Sequence, residues 1–272
     1  MTDRTRKHDG NALRGLLIDL SGVVYQGTSA VAGSPEAIRH LRDAGMPFRF
    51  LTNTTSQPLS GILQQLSGIG ISACHEEIFT PAKAARSFLV ENGLEPHFLV
   101  APALFEDFRD LPGGQTPAVV VGDAGEGFTY ARLNDAFRRI DGGATLIALA
   151  KNRQFIGRDG RPTLDVGAFV AALEYATRKT AVVLGKPAAG FFRLAASDMG
   201  LPPDQVGMIG DDAEFDVAAA IEAGLGGYLV RTGKWTPDSQ DGLEVQPDAV
   251  FDDLRAAVRF ALGEPRDRSE NS

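Results

Sequence analysis

The sequence predicts an α/β fold built around parallel strands, and three observations carry that expectation. Short apolar runs of strand length alternate with helical periodicity nearly from end to end. The connections are short, as in strand–helix–strand units with right-handed crossovers. Several apolar runs end on acidic or hydroxyl residues, at the edge where open parallel sheets hold their ligands.

Taken in order, residues 14–20 (RGLLIDL) read as a buried strand. A helix opens at Ser34-Pro35-Glu36, with Ser34 as its cap and Pro35 at the first helical position. Ile38, Leu41 and Ala44 form its apolar stripe, and Gly45 ends it. Residues 48–52 are the next strand and 58–66 the next helix. The beat continues through strands at 98–101, 118–122 and 145–150, with helices between them. Residues 153–164 break it, and Arg158-Asp159-Gly160 is turn chemistry that predicts a hairpin. Strands at 181–184, 206–209 and 227–230 resume the alternation, and a helix near 254–262 follows. Eight or so strands are many for one sheet, so two sheets accommodate them better. Periodicity does not say where they part, and there is no internal repeat or low-complexity linker.

Composition narrows the function. With 272 residues, 43% of them hydrophobic, the chain can bury one large core or two ordinary ones. Its formal net charge of -8 repels phosphate backbones and anionic lipids, so neither nucleic acid nor membrane is an expected partner. No apolar run approaches the ~20 residues that span a bilayer. The single cysteine, Cys74, excludes an internal disulfide, fits a reducing cytoplasm and reads as half-buried. The polar ends, 1–11 and 264–272, read as disordered tails. His8, His40, His75 and His97 are scattered, so zinc is not expected.

The polar residues at strand ends suit phosphoryl transfer. Asp19 ends the first strand and is followed by Ser21-Gly22; Thr52-Asn53-Thr54 ends the second. Gly185-Lys186-Pro187 and Gly210-Asp211-Asp212 follow later strands, with Asp216 a turn further on. A carboxylate attacking a phosphate dianion meets like charge at about 3.5 Å, and each such pair costs roughly 5 kcal/mol at an effective dielectric of ~20. A divalent cation between them removes most of that cost. Mg²⁺ takes oxygen donors, which Asp19, Asp211 and the Ser21 carbonyl can supply, while Asp216 can hold a metal-bound water. Thr52 and the amides near Asn53 can hold phosphate oxygens, and Lys186 can neutralise charge on the transferred group. Singly, each of these groups reads as an ordinary turn, cap or solvated lysine. Jointly that reading weakens, because all four groups follow apolar strands at one sheet edge.

These four segments, in this order, resemble the four motifs of the haloacid dehalogenase superfamily. The 130 or so residues between the second and third resemble the large α/β cap of its p-nitrophenylphosphatase-like branch. Asp165-Val166-Gly167, residues 172–176 (ALEYA) and Arg231-Thr232-Gly233-Lys234 resemble the group of hydrolase-domain-containing-protein-2 and phospholysine phosphohistidine inorganic pyrophosphate phosphatases. The resemblance implies a Rossmann-like core over residues 12–80 and 181–263 and an inserted α/β cap over 81–180. It implies Asp19 as nucleophile, Mg²⁺ on Asp19, the Ser21 carbonyl and Asp211, phosphoryl contacts from Thr52 and Lys186, and support of the metal by Asp216. A small phosphorylated substrate is the expected partner, and a homodimer is compatible with the resemblance.

One departure matters. Most of the superfamily's phosphatases carry a second aspartate, a general acid and base, where this chain has Ser21. A serine hydroxyl is too weak an acid to protonate an alkoxide leaving group. The expectation is a preference for pyrophosphate, acyl or aryl phosphates, or protonated phosphoramidates. The competing reading is a binding or regulatory protein on a phosphatase scaffold. A phosphate-storing receiver domain is shorter and orders its acidic pair differently, a dehalogenase needs no metal, and no P-loop pattern occurs. In the cap, Lys151, Asn152 and Arg153 follow a strand and can reach a substrate anion, or form an ordinary solvated loop. Asp123 and Glu126 can select a cationic leaving group.

Overall fold

In chain order, β1 (Gly15–Asp19) leads through a small ribbon, β2 (Tyr25–Gln26) and β3 (Ser29–Ala30), into α1 (Ser34–Asp43). Then come β4 (Phe48–Leu51), α2 (Leu59–Gly68), β5 (Ile78–Phe79) and α3 (Pro81–Glu91). The middle of the chain holds β6 (Leu94–Leu99), β7 (Thr116–Val121), α4 (Tyr130–Asp141) and β8 (Thr145–Ala148). It continues with β9 (Gln154–Ile156), β10 (Pro162–Leu164), α5 (Val166–Thr177) and β11 (Val182–Val183). Last are α6 (Ala189–Asp198), β12 (Val206–Gly210), α7 (Ala219–Glu222), β13 (Gly226–Val230), β14 (Ala249–Phe251) and α8 (Leu254–Ala261). This computed structural model describes residues 13–157 and 160–265. Of the expected tails, 1–11 and 264–272, residues 1–11 and 266–272 lie outside the described residues, as do Arg158 and Asp159 of the expected turn, whereas Glu264 is described and bonds His40 at 2.7 Å.

Packing divides the chain into two units. The first takes the residues up to Leu51, Leu63–Ile78, and those from Ala189 on; the second takes Thr52–Ile62 and Phe79–Ala188. The first is organised by a six-stranded sheet in the order β14-β13-β12-β1-β4-β5. The pairings of β1 with β12 and β4, and of β13 with β12 and β14, are parallel. Every residue of β1, β12 and β13 is buried. Continuous apolar runs such as Leu16-Leu17-Ile18 are what a sheet covered on both faces requires. Each such side chain contributes about 1.5–3 kcal/mol on burial.

The second unit has its own parallel sheet, in the order β11-β8-β7-β6. Leu99, Val119, Val121, Leu146 and Ala148 pack there with Ala136 and Ile140 of α4 and Val166, Val170 and Leu173 of α5. Phe128 and Phe169 stack with ring centroids 3.7 Å apart. The expected hairpin forms as β9 and β10, paired antiparallel. Residues 52–62 and 181–188 belong to this unit through polar ties. Asn53 bonds the Lys186 backbone, Thr55 accepts from the Asp123 N–H, and the Leu59 N–H donates to Asp107.

Three local expectations are corrected. Ser34 does not cap α1: it is the first helical residue, and its buried hydroxyl donates to the Val24 carbonyl at 2.6 Å. Gly33, with φ +79°, takes the cap position because the chain must turn sharply out of the ribbon. Ala44 is exposed, since it lies past the last turn; the buried stripe is Ala37, Ile38 and Leu41. Gly45 does end the helix, with its N–H on the Arg42 carbonyl and the Met46 N–H on that of Leu41. Cys74 is exposed instead of half-buried, because it stands at the surface entry to a single helical turn, His75–Glu77. Among the described residues, no helix is long and apolar enough to cross a membrane.

Candidate active site

Strand β1 is where the order of the six-stranded sheet reverses. From it the chain builds β4 and β5 to one side, and β12, β13 and β14 to the other. At such a switch point the adjoining loops diverge and open a crevice beyond the carboxyl ends of the strands. Asp19 is the last residue of β1. Ile18 pairs with Ile209, so Asp211, following the last residue of β12, comes out beside it.

Asp216 arrives by a different route. The chain after β12 enters a wide π-type turn, Ala213–Ala218, in which the Val217 N–H reaches back to the Asp212 carbonyl at 3.2 Å. Such turns occur preferentially at functional sites. Asp212 caps it by accepting the Phe215 N–H at 2.9 Å. A Cβ on Gly210 would lie 2.3 Å from that of Asp216, so a glycine is what lets Asp216 come this close to the strand end. Ligand atoms of Asp19, Asp211 and Asp216 all lie within 4.8 Å of one another, and the residues are 5%, 2% and 1% exposed.

Three carboxylates in that space repel strongly, each pair by roughly 3 kcal/mol even at an effective dielectric of ~20. Buried charges persist only when something compensates them. An all-oxygen, acidic, buried donor set suits a hard divalent cation, and the absence of His or Cys from the cluster argues against a soft one. Ser21 is exposed, and the loop it starts is held by the Gly22 N–H on the Tyr25 carbonyl at 2.7 Å.

One neighbour of this cluster carries no role in the sequence pattern. Lys234, in the loop after β13, donates its peptide N–H to Asp211 Oδ2 at 2.7 Å and its ammonium to Asp212 at 3.1 Å. Water lost around the ammonium pulls its pKa down, but Asp212, Asp216 and Asp211 outweigh that and hold it above the ordinary lysine value. The available signal was Arg231-Thr232-Gly233-Lys234 directly after a buried strand, a third polar strand end beside the other two.

The second unit brings together Thr52, Asn53 and Lys186. Thr52 and Lys186 are buried, each 6% exposed. Asn53 grips the Lys186 backbone at two points, accepting its N–H at 2.7 Å and donating to its carbonyl at 2.8 Å. Gly185 makes that approach possible, because a Cβ there would lie 2.9 Å from Asn53 Oδ1 and 2.4 Å from the Leu149 carbonyl. The expected trio of Lys151, Asn152 and Arg153 does not act alike. The Lys151 ammonium is tied to Glu174 at 2.7 Å, and Asn152 accepts from Asn53 at 3.4 Å. Arg153 is exposed. Asp165 caps α5 through the Val166 N–H, and burial raises its pKa above the usual carboxylate value. Asp123 accepts from the Gly125 N–H, and Glu126 is exposed.

The chain also matches known proteins. A family profile described as haloacid dehalogenase-like hydrolase matches residues 16–111, and one described as HAD-hydrolase-like matches 183–257. The chain is 39% identical over 259 residues to a phospholysine phosphohistidine inorganic pyrophosphate phosphatase from Xenopus laevis, covering 93% of this chain and 96% of that one. It is 40% identical over 251 residues to the human haloacid dehalogenase-like hydrolase domain-containing protein 2, covering 92% and 96%. Among solved structures, a p-nitrophenyl phosphatase from Archaeoglobus fulgidus superposes with a TM-score of 0.83 at 26% identity, covering 92% and 99%.

Proposed function

The chain belongs to the haloacid dehalogenase-like hydrolases and is a phosphatase, and from that premise we propose an aspartyl-phosphate mechanism on Asp19 with Mg²⁺ as cofactor. The observation that carries this reading is the buried cluster of Asp19, Asp211 and Asp216 at the sheet's switch point. Asp19 and Asp211, with the Ser21 carbonyl, hold the cation, and Asp216 supports its surroundings. When bound, Mg²⁺ supplies charge neutralisation between the attacking carboxylate and the phosphate.

The Asp19 carboxylate attacks phosphorus, and the bond from phosphorus to the leaving group breaks. Water then hydrolyses the acyl phosphate and restores the carboxylate. Thr52 and Lys186 hold the transferred phosphoryl group, and Asn53 positions Lys186 through its backbone. Residues 81–180 act as the cap that selects substrate.

Small phosphorylated molecules with good leaving groups are the substrates. The names of the relatives, which include phospholysine, phosphohistidine, pyrophosphate and p-nitrophenyl phosphate, support that class. So does Ser21. A protonated phosphoramidate departs as a neutral amine and pyrophosphate as phosphate, so neither needs a strong general acid.

The test is turnover of p-nitrophenyl phosphate, pyrophosphate, phospholysine, phosphohistidine and several sugar phosphates, each with Mg²⁺ and with EDTA. Asp19→Asn is expected to abolish Mg²⁺-dependent turnover on all of them. Activity that survives in Asp19→Asn would overturn the nucleophile assignment. A folded protein that turns over nothing in the panel would favour a scaffold function instead.

A further inference from the structure

Asp211 Oδ2 sits in a slot walled by backbone. A Cβ added to Gly22 would lie 2.0 Å from it, and one added to Gly233 would lie 1.9 Å from it. Both glycines have positive φ, +87° and +59°, and a Cβ on Gly233 would also come within 2.6 Å of Gly22 Cα. No side chain larger than hydrogen fits at either position without displacing the carboxylate. The third wall is the Lys234 N–H, which donates to the same oxygen at 2.7 Å. A peptide N–H on a carboxylate is a short, charge-assisted bond, so this oxygen is fixed on three sides. With one oxygen fixed, the carboxylate cannot rotate, and the direction of the other is preset.

We propose that Gly22, Gly233 and the Lys234 peptide N–H form a backbone clamp that orients Asp211 for divalent-cation binding. The proposal rests on the reading of Asp19, Asp211 and Asp216 as a cation site. Lys234 is a positioning residue here through its main chain. Its side chain is 70% exposed, so its ion pair with Asp212 is screened by water and contributes little. Groups that orient a metal ligand without touching the metal typically set affinity by ~10–100-fold.

Mn²⁺ binding to the full chain, read from the electron paramagnetic resonance signal of free Mn²⁺ without substrate, tests the clamp independently of catalysis. Gly233→Ala and Gly22→Ala are each expected to weaken Mn²⁺ binding about 10–100-fold. Gly27→Ala is the matched control, because Gly27 has φ +61° and nothing within 4 Å of an added Cβ. It carries the same backbone strain with no carboxylate to displace. Gly27→Ala and Lys234→Met, which keeps the N–H, are expected to stay within about fivefold of the unaltered protein. Circular dichroism in EDTA identifies which variants fold; if Gly233→Ala does not, Gly22→Ala carries the test.

Glycine variants that bind Mn²⁺ like the unaltered protein would overturn the clamp and leave the cation site standing. Lys234→Met losing as much as they do would move the effect to the ammonium and overturn it equally. An unaltered protein that binds no Mn²⁺ would remove the cation site itself, and the clamp with it.

Discussion

On the proposed mechanism, Ser21 limits which leaving groups this site can expel. The resemblance to the superfamily puts it where most of that superfamily's phosphatases carry a general acid, and it is solvent-exposed. An unactivated hydroxyl leaves an alkoxide to depart unprotonated, and general acid catalysis is worth about 10²–10⁴-fold. Ser21→Asp is therefore expected to raise kcat/KM on a sugar phosphate at least about tenfold relative to pyrophosphate. An unchanged ratio between the two substrates would show that the missing acid does not set the preference. Individual residues were unequally legible in the sequence. Asp19 and Asp211 could be read because they stand at the ends of apolar strands, visible in one local window, and Asp216 because it lies a turn beyond the second of them. The pairing of Lys151 with Glu174 could not, because the two lie far apart in the chain and meet only once α5 packs. The slot around Asp211 Oδ2 escaped for the same reason, since Gly22 and Gly233 stand near opposite ends of the chain.

At the scale of elements, Glu174 ties three pieces of the second unit together. From α5 it accepts the Lys151 ammonium beyond β8 and, at 3.0 Å, the Ala181 N–H just before β11. Burial pushes its carboxyl pKa up, but the Ala181 N–H and the Lys151 ammonium prevail and hold it below the ordinary 4.5. A carboxylate with a depressed pKa adds stability above its unfolded value and loses it as pH falls through the folded one. Glu174→Gln should thus destabilise the protein by about 1–2 kcal/mol at pH 7. The gap to the unaltered protein should close as pH drops below 4.5. Chemical denaturation followed by circular dichroism reads both arms, and a gap that persists in acid would mean that packing, not charge, is responsible. The longer elements could be read from sequence because their apolar runs suit a two-sided sheet. The missed strands, β2, β3, β5 and β14, are two or three residues long, too short to show any period. The one-residue shift at the start of α1 followed from tertiary demand, since Ser34 is drawn to the Val24 carbonyl and leaves the cap to Gly33.

For the molecule as a whole, the carboxylate cluster sets function against stability. The count of apolar runs already implied two sheets, yet not that residues 52–62 would pack with the second, because those ties are polar and long-range. What the sheet order does dictate is that Asp19 and Asp211 emerge side by side, and without a cation their repulsion opposes folding. At roughly 3 kcal/mol per pair at a dielectric of ~20, neutralising one member should stabilise the metal-free protein. Asp216→Asn can still accept the Asp212 N–H through its amide oxygen, so the local hydrogen bond is retained. Its melting temperature in EDTA is therefore expected to exceed that of the unaltered protein. In Mg²⁺ the difference should shrink, because a cation at a hundred times its Kd adds about 2.7 kcal/mol to the unaltered protein and far less to the variant. Differential scanning calorimetry of both proteins, with EDTA and with Mg²⁺, measures the four values. If Asp216→Asn melts lower than the unaltered protein in EDTA, the cluster is held by something other than a cation, and the charge argument for the site fails.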